Sequence, residues 1–225
     1  MALFDEYAAE KFNNLPFLGE SSKAFQAIGD KEALFSDLKA LFVRYGVTDL
    51  FGLTLVHRHF DVNENELLVE SNGTTMPWTV LDSASFYDDD GTITPQSWAF
   101  LRGRLMPFEF FFEPSFSSPK DPSLDPFSGI DSAFFREFES LLQQRHLDRT
   151  LGLSLLPRCP EPQIEITRER ANLTFNISED KFRNAPGEFT DVVWKCTEAI
   201  PGVVEFKPTK KCKKVTTTSS KVAHN

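Results

Sequence analysis

The chain has 225 residues, which fits one large domain or two small ones. Its 23 phenylalanines, within a 40% hydrophobic composition, supply apolar surface for a sizeable core, so neither disulfides nor metals are needed merely to fold. The net charge of −9 disfavours nucleic acid and anionic lipid as partners, and only the C-terminal end, with Lys207, Lys210, Lys211, Lys213, Lys214 and Lys221, is basic.

The N-terminus carries Asp5 and Glu6 with no basic run or long apolar segment, so no secretory signal is expected. No stretch approaches the roughly 18 apolar residues of a membrane span. Cys159, Cys196 and Cys212 are few and odd in number, as suits free thiols in a reducing compartment. The expected location is the cytoplasm, with the nucleus open through the lysine-rich end.

Residues 1–30 read as a lead-in of one or two short helices. Ala33, Leu34, Leu38, Leu41 and Phe42 then fall at helical spacing, and Gly46 stops that helix. A strand is expected from Leu50 to Asp61, a second from Leu67 to Glu70 with Asn72-Gly73 as its turn, and a third from Pro77 to Leu81. Asp88-Asp89-Asp90-Gly91 reads as a turn, and two strands follow at Trp98–Leu105 and Phe108–Glu113. The Phe108–Phe112 run, with Phe116 and Phe127, is expected to be core strand rather than pocket lining. Residues 115–130, rich in Pro, Ser and Asp, form a linker. Asp131 or Ser132 caps a second helix over 133–145, bearing Phe134, Phe135, Phe138, Leu141 and Leu142 on one face. Strands are expected at 151–156, 163–168, 172–177, 190–197 and 203–207. The tail from about Thr209 should be disordered.

A shift of 100 residues aligns Ala33, Phe35, Leu41, Gly52, Leu53, Leu55, Arg58, Asn72 and Thr74 with identical residues at 133, 135, 141, 152, 153, 155, 158, 172 and 174. The expected fold is therefore α+β: two diverged helix-plus-antiparallel-sheet repeats, 31–114 and 131–208, in one pseudo-twofold body. Ligand sites are expected at the seam.

The first half reads Gly-Leu-Thr-Leu-Val-His57-Arg58-His59-Phe60; the second reads Gly-Leu-Ser-Leu-Leu-Pro157-Arg158-Cys159-Pro160. His57 and His59 are additions the shared scaffold does not require. On a continuous strand they would share a face with Leu53 and Leu55, about 7 Å apart, and chelate one metal with a third ligand. Glu64 and Glu66, just past a turn, are the candidates for that ligand, so the proposed metal set is His57, His59, Glu64 and Glu66, holding a divalent transition metal. Arg58 joins the histidines as a binding residue. The bland alternative is two histidines satisfied by backbone or by Asp61 at a strand end. No Gly-x-Ser-x-Gly, Walker A or Gly-x-Gly-x-x-Gly motif occurs, so acyl transfer of the α/β-hydrolase type and nucleotide binding have no support.

The string Gly52-x4-His57-x-His59-x4-Glu64 resembles the first metal motif of cupins, but no second motif follows and the unit opens on a helix that a cupin barrel lacks. The segment from Phe51 to Glu70, with its Leu-x-His-Arg-His-Phe run, resembles uncharacterised proteins of filamentous fungi. That resemblance implies a fungal origin and brings no activity. With no strong catalytic motif, the expectation is a binding or interaction protein for a small molecule or a protein partner. The alternative is a small enzyme using His57 and His59 as metal ligands or acid–base groups.

Overall fold

A computed structural model of the chain describes residues 4–79, 91–114, 127–156, 162–185, 188–200 and 203–214. The Asp88–Asp90 turn, most of the 115–130 linker, Arg158, Cys159 and the end beyond Lys214 lie outside these residues.

Among the described residues there are five helices: α1 (Ala9–Asn13), α2 (Leu18–Gln26), α3 (Lys31–Arg44), α4 (Ser132–Gln144) and α5 (Glu179–Arg183). Capping residues set the starts of the two longest. Asp30 accepts a hydrogen bond from the Ala33 amide (2.9 Å), and Asp131 accepts one from the Ala133 amide (2.8 Å). Gly46, at φ 65°, ends α3 in the left-handed conformation that glycine adopts without strain. Helices α3 and α4 pack through Phe42 against Phe134 and Phe138, with ring centroids 5.4 and 5.9 Å apart. Two ion pairs, Arg44–Glu137 and Arg145–Asp37, bridge the same helices on the solvent side.

Ten strands follow in chain order: β1 (Phe51–Leu55), β2 (Glu66–Ser71), β3 (Thr74–Thr79), β4 (Gly91–Leu101), β5 (Arg104–Pro114), β6 (Leu151–Leu155), β7 (Gln163–Arg168), β8 (Ala171–Asn176), β9 (Thr190–Ile200) and β10 (Val203–Lys214). They close into one barrel in the order β1-β6-β4-β5-β2-β3-β8-β7-β10-β9, and β9 returns to β1 through Leu53 opposite Trp194. The pairs β2–β5 and β7–β10 are parallel and the others antiparallel.

This corrects the α+β expectation of two repeat units. The fold is a mixed β-barrel, 45% strand and 26% helix, and neither half owns a sheet of its own. β1 sits between β6 and β9 of the other half, and β6 sits between β1 and β4. On the far side, β3 and β8 pair through Thr74 opposite Leu173 and Thr75 opposite Asn172. Separate sheets would leave four edges with unpaired backbone groups; closure removes them all. Local patterning carries no record of such partners.

Further corrections are local. The chain leaves β1 at Leu55, so the strand expected to reach Asp61 stops short. The strand expected at Trp98–Leu105 is instead a hairpin corner, because Arg102 and Gly103 (φ 53° and 80°) turn the chain between β4 and β5. The tail expected to be disordered from Thr209 continues β10 to Lys214, because Lys210–Lys214 pair with Gln163–Thr167 of β7.

The barrel is polar inside and apolar on the side that faces the helices. Leu53, Leu153, Trp98 and Trp194 join Leu38, Phe42, Phe134 and Phe138 in one buried core. On the opposite face of the same strands, Ser97 donates to Glu109 (2.8 Å) and lies 3.1 Å from the Ser154 hydroxyl. A second core packs Ala9, Phe12 and Leu15 against Val56, Leu68 and Phe108. Ten strands enclose more space than the eight whose side chains alone fill a barrel, which leaves room inside for a site.

Gly52 and Gly152 mark where strands crowd together. A Cβ at Gly52 would sit 2.6 Å from the Trp194 carbonyl oxygen, and one at Gly152 closer still to that of Trp98. Gly152→Ala is expected to destabilise the protein by about 1–3 kcal/mol through overpacking against backbone that cannot retreat. Urea denaturation with the midpoint compared to wild type checks this, and an unchanged midpoint would contradict it.

Candidate metal centre

β7 alternates cleanly. Glu165 and Thr167 are 1% exposed and turn to the barrel interior, with Ile164 and Ile166 between and beside them. The parallel register of β10 places Cys212 opposite Glu165 and Lys210 opposite Gln163. β8, antiparallel on the other flank, places Thr174 opposite Glu165 and Asn172 opposite Thr167. The interior is thus a stack of polar levels about 7 Å apart along the strands.

His57 and His59 enter this stack from the segment after β1. Because the chain has left the strand, the two imidazoles do not stand about 7 Å apart on a common face. They meet directly, Nε2 to Nε2 at 3.1 Å with ring planes at 86°. Both are buried. His57 Nδ1 lies 2.7 Å from the Leu55 carbonyl oxygen, an acceptor only, so Nδ1 carries the proton and donates it. That leaves the Nε2 lone pair directed at His59. Burial first, then the adjacent His59, push the His57 pKa down to about 3, so the ring is neutral at ordinary pH.

His59 Nε2 also lies 3.1 Å from Glu165 Oε1, and the same oxygen is 3.1 Å from Cys212 Sγ. Lys210 Nζ is 2.5 Å from Glu165 Oε2, and the Thr174 hydroxyl donates to that oxygen at 3.3 Å. Burial opposes the charge on Glu165, but Lys210 and the hydrogen bond with His59 outweigh it and hold the carboxyl well below its usual range. Burial likewise opposes the Lys210 charge, and Glu165, Cys212 and Glu109 overcome it and raise its pKa. Burial, reinforced by Glu165, pushes the Cys212 thiol well above its usual value. On the strand opposite, burial raises the Glu109 carboxyl, with Lys210 working against the shift.

His57, His59, Glu165 and Cys212 therefore form one buried group whose candidate ligand atoms all lie within 4.8 Å of one another. Two imidazoles, a thiol and a carboxylate suit a transition metal rather than calcium or magnesium, which prefer all-oxygen shells. Zinc bond lengths imply tetrahedral edges of roughly 3.3–3.7 Å, so the 3.1 Å contacts need a few tenths of an ångström of expansion and the wider separations, within 4.8 Å, need to close by up to about an ångström.

Of the expected metal set, His57 and His59 lie in this group, whereas Glu64 and Glu66 lie elsewhere. Glu64 is exposed. Glu66 accepts from the Asn63 amide at 2.7 Å and pairs with Arg170; these contacts lower its pKa against the opposing effect of burial. Arg58 too is engaged away from this group. Its guanidinium lies over the Phe17 ring at 3.7 Å, its Nε donates to the Leu15 carbonyl at 2.6 Å, and it pairs with Asp61. It ties the N-terminal segment to the barrel. Sequence reasoning missed Glu165, Lys210 and Cys212. The available signal was the alternation Gln163-Ile-Glu165-Ile-Thr167, which sets a carboxylate between isoleucines on a strand, and the matching Lys210-x-Cys212 spacing.

A cavity of about 480 Å³ adjoins the cluster. Lys210 and Thr174 line it while also contacting Glu165, which in turn contacts His59 and Cys212. Phe111 contributes to its wall, whereas Phe108 and Phe110 of the same run are buried in packing. Among the described residues, no helix is long and apolar enough to cross a membrane. No protein-family model matches the chain, and no curated protein or solved structure matches it either.

Proposed function

We propose that this protein is a transition-metal-binding barrel, with His57 Nε2, His59 Nε2, a Glu165 oxygen and Cys212 Sγ as the ligands. The supporting observation is the convergence of these four buried donors within 4.8 Å. Protons alone satisfy the group poorly. With His57 protonated on Nδ1, a single proton on His59 Nε2 has two acceptors to serve, His57 Nε2 and Glu165 Oε1, both at 3.1 Å. A divalent cation engages both lone pairs and the sulfur together.

The charges support the same reading. A divalent ion with thiolate and Glu165 carboxylate is neutral, and Lys210 with an ionised Glu109 adds nothing net. Metal binding would expel the Cys212 proton, since the thiolate is the ligand form. Four protein ligands make a closed site, the pattern of zinc that holds a structure, so the neighbouring cavity rather than an open metal position is where a small molecule would be received.

One observation favours a second reading. Lys210 already compensates the charge of Glu165 at 2.5 Å, which a purely hydrogen-bonded polar core would also require. Metal content decides between them. Untagged protein purified without chelator is expected to carry close to one equivalent of zinc or another transition metal, and the His57→Ala/His59→Ala variant none. Metal-free wild type that also fails to take up added zinc would leave the hydrogen-bonded core as the role of these residues.

A further inference from the structure

We propose that the interior cavity binds a small hydroxyl-rich molecule without negative charge, in chemical class a mono- or disaccharide or an amino sugar. The proposal stands on the cavity and does not rest on the metal reading.

The volume of about 480 Å³ falls within the range of small-molecule sites, about 300–1,000 Å³. Its lining departs from the usual one. Such sites are mostly apolar with a few polar groups. Here Thr94, Gln96, Glu109, Thr174 and Asn176 place hydroxyls, amides and a carboxylate around the space. Amides and hydroxyls both donate and accept, which matches a ligand that does the same at every hydroxyl. Phe111 supplies an apolar surface for the face of a sugar ring.

Charge selects within that class. Among the described residues lining the cavity, Lys210 is the only cation, and Glu165 already holds it. Glu70 and Glu109 line the same space. Glu70 is engaged by the Gly73 amide at 2.7 Å and Glu109 by Ser97 at 2.8 Å, both neutral donors. A carboxylate or phosphate on the ligand would meet the Glu70 carboxylate and a Glu109 carboxyl for which Lys210, already shared with Glu165, is the only lining cation, so negative charge is disfavoured and an ammonium favoured.

The polar character continues behind the cavity wall. Asn172 is 0% exposed, and neither its amide oxygen nor its nitrogen has a hydrogen-bond partner; the Thr167 hydroxyl facing it on β7 has none either. Thr75, the cross-strand partner of Asn172, lines the cavity. Buried amides are rarely left unsatisfied, so this polar column beyond the cavity wall suits ordered water and adds to the polar character of this end of the interior.

The test is isothermal titration of the full chain, both chelator-treated and zinc-loaded, with glucose, galactose, mannose, maltose, glucosamine, galactosamine and glucuronate. At least one neutral or amino sugar is expected to bind saturably in both states, with glucuronate at least about tenfold weaker. Glu109→Gln should weaken the amino sugar about tenfold more than its neutral parent. Asn176→Leu, at an exposed strand end where the side chain accepts a hydrogen bond from Gln163 at 3.0 Å, should abolish binding while shifting the thermal midpoint little. Absence of saturable binding by every neutral and amino sugar would overturn the proposal, as would preferential binding of glucuronate. Because the chelator-treated arm needs no metal, a failed metal reading leaves this result interpretable.

Discussion

Glu165→Ala is expected to lower stability by about 3–5 kcal/mol, measured by urea denaturation in the presence of chelator. Glu165 is the hub of the interior: one oxygen meets His59 and Cys212, the other Lys210 and Thr174. Its removal takes from the Lys210 ammonium, whose side chain is 19% exposed, its direct ion-pair partner and leaves it to the electrostatic influence of Glu109. It also deprives the Cys212 thiol of its acceptor. Breaking one side of a buried pair costs more than the pair itself contributes, because the remaining charge keeps its desolvation penalty. Glu165→Ala/Lys210→Met removes that charge as well and is expected to recover most of the loss. A single variant that costs less than about 1 kcal/mol would show that the pair does not organise the barrel interior.

Zinc at about 1,000 times its Kd is expected to add about 4 kcal/mol to the stability of the metal-free protein, and chelator should reverse the gain. The physical source is that the unfolded chain has no equivalent site: His57 and His59 come from the segment after β1, Glu165 from β7 and Cys212 from β10, so binding energy becomes folding energy. Cys212→Ser keeps the shape and replaces a soft thiolate by a poor ligand, and should remove nearly all of this stabilisation. Thermal melts with and without zinc read the effect directly. Equal zinc stabilisation of wild type and Cys212→Ser would place the ion somewhere other than this cluster.

Much of the local structure was legible. The caps Asp30 and Asp131, the apolar stripes Leu34–Phe42 and Phe134–Leu142 and the glycine stop at Gly46 mark α3 and α4 because helix signals are short-range in the chain. The cores of most strands were legible for the same reason. His57 and His59 stood out because the segment 152–159, aligned with 52–59, has no histidine at those positions, although the repeat units that suggested this comparison are not how the barrel is built. Their supposed partners Glu64 and Glu66 were chosen for nearness in sequence, and nearness in sequence was the wrong guide. The chain bends after Leu55, Glu66 turns to Arg170, and the histidines are brought against residues more than 100 positions away.

Composition, patterning and capping determined that this chain has a large aromatic core, two amphipathic helices of 13–14 residues, and short strands separated by glycine turns. All of that follows from interactions between residues a few positions apart, or from bulk burial that ignores partner identity. The tertiary structure alone decided that ten strands close into one barrel, that the lysine-rich end becomes β10, and that Glu165, Lys210 and Cys212 share a buried level with His57 and His59. Strand pairing is settled by which edge groups remain unpaired once the other strands have formed. A residue's place in a barrel is therefore a property of the closed sheet and not of its neighbours in the chain.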